Sequence, residues 1–351
     1  MSKRAKPHVH PVDEAWLALS SETRIEPDID IVDSHVHLWD FSDPNYFADS
    51  YIRDAKSAGI SSSVYVDCTM AYREDGPVEL EPVGEVEFAY AQANTSPHDV
   101  SVAAGIIGWA DLTLGKDVGH VLDALEVAGR GHFRGIRTRA TYDLDTAAGY
   151  GALGVGPSHI LRSDFMLGAE QLHAQGHVLD LYAFHTQLNE VADLARALPG
   201  LPIILNHIGG PLGVGRYADI GEQVFADWAQ GMTDVASCPN VQVKISGFAI
   251  SRIAIVPLHA REQIVAYYAH YYGDPSGEAR SRRSGLMSGA ATTSIGSLRG
   301  GGGGGGGLAQ PASRANGAAH TTLLLSSFMP IPCCGLMTSE LQSVQLAACA
   351  A

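Results

Sequence analysis

Apolar and polar positions along the chain fall into a repeating pattern of apolar run, polar break and helix-spaced stretch. The first run predicts a strand over Ile29 to Leu38. Further strands are predicted at Ser63–Cys68, Val102–Trp109, Gly135–Ala140, Val178–Phe184, Ile203–Ile208 and Val241–Ile245. Helices are predicted at Val83–Asn94, Asp117–Ala128, Ser158–Gln175, Leu188–Leu198, Glu222–Val235 and Pro257–Tyr272, with a short turn at Asp13–Ser20. In Asp117–Ala128 the apolar positions Val118, Val121, Leu122 and Leu125 share one face. Glu85 and Glu87 suit the start of their helix, Ser158 suits an N-cap, and Pro199-Gly200 is a stop signal.

Strands alternating with helices imply a parallel sheet with right-handed crossovers. Strands apolar on both faces imply burial on both faces. The economical closed form is a (β/α)8 TIM barrel, typically about 250 residues long. Residues 28–275 nearly fill one, leaving 1–27 as an N-terminal arm. The arm carries a second His-x-His, His8 and His10, between prolines.

The eighth strand is owed, and beyond about residue 275 the composition changes. From Ala279 onward Glu340 is the only acid, and Lys, Asp, Trp and Tyr are absent. Gly300 to Gly307 is an unbroken glycine run, rich in backbone entropy and unable to bury a side chain. Residues 276–351 therefore read as a disordered low-complexity tail, with strand 8 missing or replaced. A changed reading frame or exon would explain the shift, as would a native tail. Leu323-Leu324-Leu325 is the one stretch that could stand in as a strand.

Composition narrows the function classes. At 46% apolar and 17% charged residues the chain can build a large core. A net charge of −15 argues against a nucleic-acid partner. No window resembles a membrane span. Cys68, Cys238, Cys333, Cys334 and Cys349 form neither a zinc-type Cys-x-x-Cys nor a disulfide framework. A cytoplasmic protein fits, without membrane or nucleic-acid partners and compatible with a homo-oligomer.

Barrel chemistry sits where strands end. Strand 1 ends in His35 and His37, strand 5 runs into His185, and strand 6 ends in Asn206-His207. Alternation puts Asp33, His35 and His37 on one face. Strand 4 carries Arg137 and Arg139 on one face, and strand 7 carries Lys244 followed by Ser246-Gly247. Neutral imidazoles can hold a divalent ion, which acidifies bound water and polarises a carbonyl. Arg137 could fork onto a substrate carboxylate or close a salt bridge in the mouth. Lys244 is either a solvated amine or the owner of a buried partner.

Asp33-Ser34-His35-Val36-His37-Leu38-Trp39-Asp40 resembles the opening motif of the amidohydrolase-related barrels (amidohydrolase 2), in the group that includes sugar-lactone and pyrone-dicarboxylate lactonases. Gly135-Ile136-Arg137, the stretch Leu181 to Leu188 and Asn206-His207-Ile208-Gly209-Gly210-Pro211 are similar too. So is Tyr72 to Pro77 with Pro82 to Glu85, which matches one branch of the family. The resemblance implies a (β/α)8 barrel and a hydrolase directing water at a lactone or similar ester of a small acidic substrate. A decarboxylase of the same superfamily is the alternative.

In metal-using members His35, His37, His185 and His207 would sit at or near a divalent metal such as Zn or Mn; lactonase relatives can work without a tightly held one. His185 and His207 would be catalytic, and Arg137 and Arg139 would bind substrate. The family's strand-8 Asp, the general base, has no counterpart: the echo Ser326-Ser327-Phe328-Met329-Pro330 carries none, and the last Asp is Asp274. A third reading follows, a catalytically impaired barrel remnant.

Overall fold

The computed structural model describes residues 30–40, 45–95, 99–148 and 155–247, positions 15, 19, 250 and 253, and the backbone of Leu323–Leu325. Apart from positions 15 and 19, the Asp13–Ser20 turn lies outside the described residues, as do most of the arm, the Pro257–Tyr272 helix and the rest of the tail.

Strands β1 (Ile31–Val36), β2 (Ile60–Val66), β3 (Ser101–Gly108), β4 (Phe133–Arg139), β5 (Val178–Tyr182), β6 (Ile203–Leu205), β7 (Val241–Val243) and β8 (Leu323–Leu325) form one sheet. Its order is β7-β6-β5-β4-β3-β2-β1-β8. All the neighbouring pairs are parallel. The seven expected strands curl into a half-barrel, an incomplete form of the expected TIM barrel. The eighth position is filled from the tail: Ile31, Val32 and Asp33 pair with Leu323, Leu324 and Leu325. The outer edge of β1 is covered there. Among the described residues no pairing joins β8 to β7.

Helices α1 (Ala48–Ala58), α2 (Val83–Ala93), α3 (Gly119–Gly129), α4 (Ser163–Ala174), α5 (Leu188–Ala197) and α6 (Gly221–Ala236) connect the strands. Leu122, Leu125, Leu172 and Leu188 from the helices pack with Ile106, Ile136, Leu179 and Leu205 from the strands, all without solvent exposure. Helix α1 was not expected, because its sequence ADSYIRDAKSA reads as polar. It still buries Ala48, Tyr51, Ile52 and Ala55, an i, i+3, i+4, i+7 stripe. Gly59, at φ 71°, ends it by donating to Ala55 and Lys56 carbonyls.

One expectation about helix ends is corrected, and another is borne out and extended. Ser158 makes no side-chain cap; it sits at φ 51° and its hydroxyl donates to Glu190. A 3-10 turn, His159–Leu161, follows it, and extended Arg162 separates that turn from α4. Glu85 is more than a first-turn acid on α2. It is buried, and it accepts from Tyr65 OH at 2.7 Å, Cys68 N at 2.8 Å and Thr69 N at 3.1 Å. Burial raises its pKa. Those bonds tie down the loop that follows β2, which begins with Asp67.

Candidate active site

The strands deliver a buried polar cluster to their C-terminal ends. His35, His37, Asp67, Arg137, Asp180, His207, Lys244 and Ser246 are all buried. Groups this polar stay buried only when partnered, so each was placed by its partners.

Three of the four expected histidines come together. The His35 ring centroid lies 5.0 Å from that of His37 and 4.9 Å from that of His207. Tyr182 packs edge-on against His207 at 5.0 Å. His37 Nδ1 is 2.7 Å from the Val66 carbonyl, and His207 Nδ1 is 2.9 Å from the Ser246 hydroxyl. Burial lowers the pKa of all three, taking His37 to about 3. For His35 the next cause is the Lys244 charge; for His37 and His207 it is Arg137. Burial thus favours the neutral form of all three rings.

His185 is placed elsewhere. Its ring stacks edge-on with Tyr217 at 5.2 Å, and its Nδ1 accepts from Leu212 N at 3.3 Å. Tyr217 in turn donates to Asp143 at 2.7 Å. The 3-10 turn His185–Gln187 breaks the line of β5, which ends at Tyr182, so alternation along the strand no longer sets the direction of His185.

Asp33 also departs from the expected face. Its carboxylate accepts from Tyr51 OH of α1 and from the backbone of His35. The β1–β2 register shifts between Asp33 and Val36, which breaks the two-residue period there.

Arg137 and Arg139 do share a face, and both meet Asp67. Arg139 makes the salt bridge to the carboxylate, at 3.2 Å, while Arg137 donates to the Asp67 carbonyl at 3.0 Å. Burial first, then the neighbouring Arg139 charge, lowers the Arg137 pKa. Lys244 owns a buried partner, Asp180 Oδ2 at 2.5 Å, and its Nζ also stands 3.4 Å from His35 Nδ1. Asp180 and Asp67 were not expected as site residues. The available signal was an acid inside an apolar strand (Asp180) and an acid ending one (Asp67).

The turn after β6 is strained. His207 and Ile208 have φ of 52° and 50°, a left-handed pair that costs a β-branched residue about 1–3 kcal/mol. Ile208 N bonds to the Lys244 carbonyl, and Trp228 Nε1 to the Ile208 carbonyl. Gly247, at φ 80°, lies so close that a Cβ there would stand 2.6 Å from the His207 Cβ. The backbone is thus bent to hold the His207 ring in the cluster.

This donor set does not fit a resident divalent metal. Among the described residues no group of three or more His, Cys, Asp or Glu is arranged to hold one. Asp180 is committed to Lys244, and the Lys244 and Arg137 cations stand in the cluster itself. Cys68 and Cys238 are free thiols. No helix among the described residues is long and apolar enough to cross a membrane.

The chain is similar to known proteins. The amidohydrolase family model matches residues 32–274. Uncharacterized protein y4mH of Sinorhizobium fredii is 29% identical over 248 residues, 64% of this chain and 74% of that protein. An amidohydrolase from Burkholderia multivorans, solved with bound zinc, is 21% identical with a TM-score of 0.48, over 70% of this chain and 81% of its own. A probable 2-pyrone-4,6-dicarboxylic acid hydrolase from Acinetobacter baumannii, with citric acid bound, is 12% identical with a TM-score of 0.45, over 90% and 91% of the two chains.

Proposed function

This chain belongs to the amidohydrolase family, and we propose that it hydrolyses a lactone or similar ester of a small carboxylated substrate. One observation carries the reading. Arg137 is 5% exposed, and its Nε has no hydrogen-bond partner among the described residues. A buried guanidinium with a spare donor suits an anion, and a charge-assisted bond contributes about 1.5–3 kcal/mol. Beside it stand neutral imidazoles able to move a proton. Water attacks the carbonyl carbon, and the carbonyl π pair moves to oxygen. An imidazole takes the water's proton and returns it to the ring oxygen as the C–O bond breaks. Amidohydrolases are typically metal-dependent, but the described donors do not form a metal cage, so no step here is routed through one.

A lactone bearing a carboxylate is the test substrate. Appearance of the ring-opened acid, lost in Arg137→Met, supports the reading. Release of carbon dioxide instead replaces it with the decarboxylase, and no turnover of either kind favours the impaired remnant. The remnant reading has its own support: Leu323–Leu325 takes the strand-8 position beside β1 and brings no carboxylate.

A further inference from the structure

The loop after β2 bends around a carboxylate that belongs to another element. Glu85 lies in the first turn of α2, yet it accepts from Cys68 N at 2.8 Å and Thr69 N at 3.1 Å, and the Met70 N–H bonds to it as well. Three successive N–H groups aimed at one anion form a concave nest. Tyr65 OH donates to the same carboxylate from β2. The nest bends the backbone: Thr69 and Ala71 have φ of 67° and 51°, a region that costs residues with a Cβ. Gly84 permits the close approach, because a Cβ there would run into the Ala71 carbonyl oxygen.

This nest leads to the two arginines of β4 by two routes. The first is a peptide plane. Cys68 N–H and the Asp67 carbonyl belong to one rigid peptide and point in opposite directions. Glu85 holds the N–H, and Arg137 donates to the carbonyl at 3.0 Å. The second is a shared donor. Thr69 N–H lies 3.1 Å from Glu85 Oε2 and 3.2 Å from Asp67 Oδ2, and the Asp67 carboxylate pairs with Arg139. Both guanidiniums keep a buried Nε without a hydrogen-bond partner among the described residues. We propose that Glu85 is a positioning residue for an anion subsite made by Arg137 and Arg139: it fixes Asp67, and Asp67 aims the two guanidiniums. Glu85 itself touches no ligand. Without it the loop relaxes from its left-handed turns, and the arginines keep their charge but lose their angle. The effect therefore falls on seating an anion and not on the bond that breaks. That the anion is a substrate carboxylate rests on the hydrolase reading; the subsite does not.

The test follows the arginine Nε–H signals of the full chain, 15N-labelled on arginine and assigned through Arg137→Lys and Arg139→Lys, during a titration with succinate. Succinate should shift the Arg137 and Arg139 signals of the unaltered chain. Glu85→Gln offers one acceptor oxygen where two are used; it should move both signals and weaken succinate binding about tenfold. Gly84→Ala keeps the carboxylate and favours the helix but pushes on the same loop, and should act in the same direction. Unchanged affinity in Glu85→Gln overturns the proposal; should that chain not fold, Gly84→Ala decides by the same measure. A titration of the unaltered chain that moves neither arginine also overturns it. Where a carboxylated lactone is turned over, its KM should rise in Glu85→Gln with kcat within about twofold. A fall in kcat alone marks a merely structural glutamate and overturns the role. Weaker succinate binding without any lactone turnover overturns the hydrolase reading and leaves the role of Glu85 standing.

Discussion

Two ion pairs line the same mouth and are built differently. In Lys244–Asp180 the side chains are 7% and 0% exposed; in Arg139–Asp67 they are 24% and 0% exposed. Water reaches the second cation far more than the first. In the dry pair, the loss of one partner strands a buried charge. In the wetter pair, solvent takes over part of what the carboxylate did. The dry pair also touches His35, while the wetter one braces the two arginines of β4. One end of the mouth is therefore set by a nearly dry ion pair, and the other by a pair whose cation meets solvent.

The sharpest way to break this contrast is Asp180→Ala. It should lower unfolding stability by about 3–5 kcal/mol, read from denaturant midpoints at constant m. Asp180→Leu combined with Lys244→Met should recover most of that; a double variant as unstable as the single one would show that packing, and not the stranded charge, was the cause. Acid comes next. The folded pKa of His37 is depressed to about 3 from an ordinary 6.5. Above about 6.5 neither folded nor unfolded chain binds this proton, and below it the unfolded chain binds more. Stability is therefore full above pH 6.5 and falls with pH, by about 2 kcal/mol at pH 5 for His37 alone. His35 and His207 shift the same way. Flat stability from pH 7 to 5 would show that these rings are not held neutral.

Asp67→Ala should cost less than either, about 1 kcal/mol, because the Arg139 guanidinium it leaves behind keeps contact with water. The exposed pair Arg196–Asp193, 3.2 Å apart, sets the floor: Arg196→Ala should change stability by no more than about 0.5 kcal/mol. A loss at Asp67 equal to that at Asp180 would erase the contrast.

Much of this mouth was legible in the chain. Strand ends pointed to His35, His37, His207, Arg137, Arg139 and Lys244, because parallel strands deliver their last residues to one face. What was not legible depended on geometry that periodicity does not encode. A register shift turned Asp33 toward α1. A 3-10 turn carried His185 to Tyr217. Asp180 sits inside a strand, so its role needed the partner that β7 brings. Helix α1 was hidden because its buried stripe relies on alanine and tyrosine in place of leucine and valine. The substitute eighth strand is three leucines in a tail whose composition otherwise argues against any structure.

That last pairing sets an order of events. Ile31 lies against Leu323, about 290 residues later along the chain. During synthesis every other strand can find its neighbour soon after it emerges, but the outer edge of β1 must wait for almost the whole polypeptide. For that interval it offers unpaired backbone to any passing strand. The first strand made is thus the last one sheltered, and dependence on chaperones should be greatest for nascent chains that stop short of residue 323.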